Sequence, residues 1–151
     1  MGLEHAMILT RSASVLVVLM AVASGGPVLL AQAPLTYKAR LSTVPVQAST
    51  AASLTGSGSA TGMLRGTTLT VTGTFEGLQT PATTARVHVA PKGIRGPGVL
   101  DLVVTKATKG SVSGDLALTP AQVEDLRRGR LYIQIQSEKA PEGNLWGWLL
   151  P

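Results

Sequence analysis

Residues Leu116 to Leu149, LALTPAQVEDLRRGRLYIQIQSEKAPEGNLWGWL, contain a helix with both of its boundary signals, a strand, a turn and a second strand. Thr119, with Pro120 next and Gln122 three positions on, is a capping-box start. The hydroxyl accepts an otherwise unpaired amide, and proline occupies a first-turn slot that needs no donor. Arg127 and Arg128 sit where the negative end of the helix dipole favours cations, and Gly129 supplies the stop. The spacing therefore predicts a short helix over Pro120 to Arg128. Beyond it, Leu131, Ile133 and Ile135 alternate with Tyr132, Gln134 and Gln136, the period-2 pattern of a half-buried strand. Pro141, Glu142, Gly143 and Asn144 read as a turn, after which Leu145, Gly147 and Leu149 alternate with Trp146 and Trp148. The expectation is a β-hairpin with one aliphatic and one aromatic face.

Upstream, Leu35 to Val44 reads as a strand closed by Pro45. Gln47 to Ala60, rich in Ala, Ser, Thr and Gly, reads as a flexible loop in which Leu54 marks a docking point. Gly62 to Leu64 and Thr67 to Phe75 are strands around a turn at Arg65 and Gly66. In the second of them Leu69, Val71, Gly73 and Phe75 face inward, and Thr68, Thr70, Thr72 and Thr74 form a solvated ladder. Arg86 to Ala90, Val99 to Val104 and Val112 to Leu118 complete the strands. About eight short strands with frequent turn signals predict an all-β chain, an antiparallel Greek-key β-sandwich of immunoglobulin-like or superoxide-dismutase-like form with one short helix covering an end. A closed barrel is the alternative.

The start of the chain has a different character. Arg11 precedes an apolar run from Ala13 to Ala23, Gly25 to Pro27 break it, and Ala31, Gln32 and Ala33 match a small-x-small cleavage pattern. Residues 1 to 33 are read as a secretory signal, with Ala21 to Ala23 a second possible cut. The Gly-Gly-Pro interruption argues against a retained anchor, because a span needs about 20 continuous apolar residues. The expected product is secreted, periplasmic or extracellular, with no stable membrane span after cleavage. Residues 34 to 151 then form a single domain, long enough for one core. The chain has no cysteine, so a disulfide framework and thiolate chemistry are excluded.

Thirteen basic against eight acidic residues give a net charge of +5, and the leader removes one of each. The basic residues are scattered, and the one helix is short and carries Glu124 and Asp125, so nucleic acid is not an expected partner.

Three segments carry a family resemblance: ARVHVAPKGIRGPGVLDL from Ala85 to Leu102, SGDLALTPAQVEDLRRGRLYIQIQ from Ser113 to Gln136, and PEGNLWGWL from Pro141 to Leu149. In this order they resemble the chordin-type (CHRD) domain family. The resemblance implies an extracellular or envelope β-sandwich and no particular reaction. The family's animal namesake binds growth factors.

The chain departs from the family at its polar positions. Members usually show His-x-His where this chain has Arg86, Val87 and His88, a second histidine where it has Gln136, and Gly-Glu-Ile-Arg-Gly where it has Gly143 to Gly147. Two imidazoles at i and i+2 on a strand share a side and could hold a metal, but Arg86 puts a permanent cation in place of one. With His88 as the mature chain's one histidine, no metal and no cofactor are expected. No catalytic residues are assigned, since no Gly-x-Ser-x-Gly elbow accompanies His88 and no carboxylate pair is marked by spacing.

One constellation remains. If the strand holding Arg86 and His88 shares a sheet with the hairpin, then Arg86, His88, Tyr132, Gln134, Gln136, Trp146 and Trp148 share its non-aliphatic face. Two indoles on that face are costly to leave in water, so a loop, a ligand or a partner covers them. The functional reading is a docking surface for an extracellular protein or polysaccharide on a monomeric, non-enzymatic module. A metal-dependent oxidoreductase-like enzyme and a structural envelope component that self-associates through free strand edges are the alternatives.

Overall fold

The computed structural model describes residues 32–151. The leader reading falls almost entirely outside the described residues.

Eight strands follow in chain order: β1 (Leu35–Thr43), β2 (Ser57–Arg65), β3 (Thr68–Glu76), β4 (Ala82–Val89), β5 (Gly98–Val104), β6 (Gly110–Ala117), then the helix α1 (Pro120–Arg127), β7 (Leu131–Ser137) and β8 (Ala140–Trp148). The helix begins as its sequence predicts. Thr119 Oγ1 accepts from Gln122 N at 3.2 Å, and Gln122 Oε1 accepts from Thr119 N at 2.9 Å. Val123 and Leu126 are its buried residues, and both join the core of the β-structure.

The two-sheet sandwich is overturned. The strands form one closed antiparallel barrel in the order β1-β2-β3-β6-β5-β4-β7-β8, with β8 returning to pair with β1. Eight strands enclose an interior that side chains fill completely. Here the filling comes from Tyr37, Leu41, Leu69, Val71, Phe75, Val87, Ile133, Ile135 and Leu145, all buried. Alternation along each strand sets which face is inward but is silent on whether the first and last strands meet. Two joints are short: β5 meets β6 only at Val103↔Ser113 and Val104↔Val112, and β1 meets β8 at Ser42↔Trp146 and Thr43↔Leu145. A further bridge, Lys38↔Leu150, completes the second joint.

The hairpin turn also moves. Ser137 pairs with Ala140, so Glu138 and Lys139 make the turn, and Pro141 to Asn144 lie within β8. Proline is tolerated there because it stands near the start of the strand, where a missing donor costs little. Of the expected loop from Gln47 to Ala60, the last four residues belong to β2. The remainder docks through Leu54, which is buried, and Thr55, whose carbonyl accepts from Asn144 Nδ2 at 2.8 Å.

The closing joint depends on a close approach at Gly147. A Cβ there would stand 2.4 Å from the Arg40 carbonyl oxygen and 2.9 Å from its carbon, both backbone atoms with little room to move. Gly147→Ala is therefore expected to push β8 away from β1 and cost about 2–3 kcal/mol. Urea unfolding would measure this, and a stability equal to the parent's would contradict the close approach.

Candidate functional site

The face expected to carry the site is the outer wall of the barrel over β4, β7 and β8. Register places His88 opposite Tyr132 and Tyr132 opposite Trp148. One rung along, Arg86 lies opposite Gln134 and Gln134 opposite Trp146. The aliphatic alternates Leu131, Ile133, Ile135, Leu145 and Leu149 point into the core, so the inward and outward faces are as the pattern predicts.

The aromatic rings form a second apolar cluster outside the barrel. Tyr132 is its centre, stacked on His88 with centroids 5.0 Å apart and tilted against Trp148 at 4.6 Å. Trp146 meets Trp148 edge-on at 4.7 Å and Tyr132 at 5.9 Å. These offset and edge arrangements suit the ring quadrupoles. Val44, Leu54, Ala90 and Ala140 complete the cluster. Tyr132 is wholly buried, and each tryptophan retains only 7% of its surface.

Two loops supply the cover. The segment between β4 and β5 folds down onto the rings at Gly96. Its amide donates to the Tyr132 hydroxyl at 3.0 Å, and its carbonyl lies 2.9 Å from His88 Nδ1 and accepts from the Tyr132 hydroxyl at 3.3 Å. Trp148 Nε1 donates to the Ala90 carbonyl at 3.0 Å, so the buried indole N–H is satisfied. The segment between β1 and β2 is held through Asn144. That residue is fully buried, its Oδ1 accepts from Ser137 Oγ at 3.0 Å, and its Nδ2 donates to Thr55.

The seven predicted residues thus divide. His88, Tyr132, Gln134, Trp146 and Trp148 lie together in or against the cluster. Gln134 is turned to the Glu142 carbonyl, 3.3 Å from its Nε2. Arg86 is drawn away to Asp101, with Nε 2.7 Å from Oδ1, an ion pair rather than an aligned hydrogen bond. Gln136 turns to the Thr84 hydroxyl. His88 Nε2 is buried and has no hydrogen-bond partner. Among the described residues, no group of three or more His, Cys, Asp and Glu side chains comes together to hold a metal.

What the sequence reading missed lies beside this cluster, across the closing joint. The outward residues of β1, Lys38, Arg40 and Ser42, face the exposed edges of Trp146 and Trp148 over a groove of about 690 Å³. Lys92 and Gly93 of the β4–β5 loop, with Leu150 and Pro151, also line it. No Asp or Glu side chain lines it. Among the described residues the ion pairs use Arg86, Arg128 and Arg130, leaving Lys38, Arg40 and Lys92 without an acidic partner within 4.0 Å. The alternation of Lys38, Arg40 and Ser42 is visible in the sequence. That they face the indoles follows only from the pairing of β1 with β8.

The family model described as the CHRD domain matches residues 32–149. Comparison with curated proteins and with solved structures returns no match. No helix among the described residues is long and apolar enough to cross a membrane.

Gly96 is the point on which the loop cover rests. A Cβ there would stand 1.9 Å from the Val89 carbonyl oxygen and 2.8 Å from the Ala90 Cβ, so no side chain fits. In the parent protein both indoles are expected to resist acrylamide quenching. Gly96→Ala is expected to lift the loop, expose Trp148 to the quencher and cost about 1–3 kcal/mol. Unchanged quenching in this variant would show that the loop does not cover the ring.

Proposed function

The chain belongs to the CHRD domain family, and from that premise we propose that it is an exported, non-enzymatic binding module working at the cell envelope or outside the cell. The observation that carries this reading is the groove between β1 and β8. It is roughly 690 Å³, the size of a ligand site, and it combines indole edges with unpaired cations. Its walls are mostly strand residues of a closed barrel, a rigid base that holds binding groups in place better than loops do. The leader features and the family both support export.

Competing readings have less behind them. A metal-dependent enzyme would draw on His88, but that imidazole is stacked on Tyr132 and tied through Nδ1 to Gly96, with Arg86 where a second ligand would stand. A self-associating structural component would need a free strand edge such as β1. That strand is paired with β2 on one side and β8 on the other, so the usual template for edge-to-edge assembly is covered.

The test is a titration of the purified protein with neutral and anionic envelope polysaccharides and with extracellular proteins, following indole emission. Because Trp146 and Trp148 are the chain's two tryptophans and both border the groove, the expected result is a saturable emission change with at least one ligand, recovered chemically intact. No response across the panel would contradict the binding-module reading. A ligand recovered cleaved or oxidised would contradict the non-enzymatic one.

A further inference from the structure

The binding-module reading leaves the ligand class open, and the surroundings of the groove narrow it. Arg40 belongs to two adjoining depressions. One is the indole groove. The other, about 400 Å³, runs on over β2 and β3 and is lined by Ser57, Ser59, Thr74 and Glu76.

Register extends this into continuous rows across the barrel wall. Arg40 lies opposite Ser59, Ser59 opposite Thr74, and Thr74 opposite Ser111. The neighbouring row runs from Lys38 to Thr61, Thr72 and Ser113. Each row therefore begins with a cation beside the indoles and continues with three small hydroxyl side chains. With strands about 4.8 Å apart, such a row is roughly 14 Å long.

We propose that this surface binds an extended anionic polysaccharide laid across the strands, and the inference rests on the binding-module reading above. Acid groups of the polymer pair with Lys38, Arg40 and Lys92, the cations left without acidic partners. The apolar C–H faces of a sugar ring meet the edges of Trp146 and Trp148. The serine and threonine hydroxyls, which both donate and accept, match sugar hydroxyls further along the rows.

Other polyanions fit less well. Single-stranded nucleic acid is held by stacking on open aromatic faces, and here the ring faces are occupied by one another and by Tyr132. An extended acidic peptide is captured by adding to a sheet edge, and at the groove Lys38 and Leu150 already exchange both backbone hydrogen bonds, at 2.7 and 2.9 Å. A sugar chain has no amide ladder to complete.

The probes are polygalacturonate and sulfated dextran, each with its neutral counterpart, methyl-esterified polygalacturonate and plain dextran. Titration calorimetry would be run on the parent, on Lys38→Gln/Arg40→Gln, and on Lys106→Gln/Lys139→Gln as a basic control away from both the groove and the hydroxyl rows. The expected result is binding of one or both anionic polymers at least about tenfold tighter than of the neutral ones. It should weaken about tenfold in the groove variant, change less than about twofold in the control, and be lost in high salt as exposed charges are screened. Thermal unfolding should show both variants folded.

Equal weakening by both double variants would reduce the effect to general basicity and overturn the proposal. Tighter binding of a neutral polymer would overturn it while leaving the module reading intact. No polysaccharide binding would also overturn it. The module reading would fall as well only if the protein partners of the wider panel gave no response.

Discussion

The pairing of the first strand with the last is the constraint on which the rest of the structure depends. Lys38 and Leu150 exchange both backbone hydrogen bonds, and Val44 N donates to the Asn144 carbonyl at 3.1 Å. These few bonds turn a sheet with two free edges into a barrel with none among the described strands. They seat Leu41 against Gly147 inside and bring Lys38 and Arg40 beside the indoles outside. Core and groove are consequences of the same joint.

From Gly143 to Trp148, β8 is therefore buried on both sides, which is unusual for a barrel strand whose outer face would ordinarily meet water. Its inner residue Leu145, with Leu149 just past its end, fills the barrel, and its outer residues, Trp146 and Trp148, belong to the loop-covered cluster. Large rings supply much apolar burial in a chain that has few aromatics. The side-chain polar atoms of Trp148 and Tyr132 are matched: the Trp148 N–H meets the Ala90 carbonyl, and the Tyr132 hydroxyl meets Gly96. The cluster is thus structural in most of its surface and available to a ligand only along the indole edges bordering the groove. An indole edge held in a tightly packed cluster would carry a low ordering cost in the proposed association, because the side chains are already fixed.

Local chemistry made much of this legible. The helix start, the inward and outward faces of β3, β7 and β8, and the threonine ladder all follow from residues within a few positions of one another. The turn did not, because Pro141, Glu142, Gly143 and Asn144 have turn-forming chemistry, whereas Glu138 and Lys139, which make the turn, do not advertise it. Closure was illegible for a different reason. Ser42 and Trp146 lie 104 positions apart, and no periodicity within β1 or β8 says that they meet. The groove inherits that blindness: its aromatic wall was found from spacing, while its basic wall, Lys38 and Arg40, required the fold. The polar departures at Arg86 and Gln136 were visible, and their side chains have structural partners in Asp101 and Thr84.

The most direct measurement of the central claim is amide hydrogen exchange at Lys38 and Leu150, resolved by NMR. In a closed barrel these two amides open only when β8 leaves β1, so they should exchange at rates close to those of the core amides of β7. Exchange many orders of magnitude faster, at the rate of a frayed edge strand, would mean that the sheet is open. The groove would then lose its basic wall, and the account would fail.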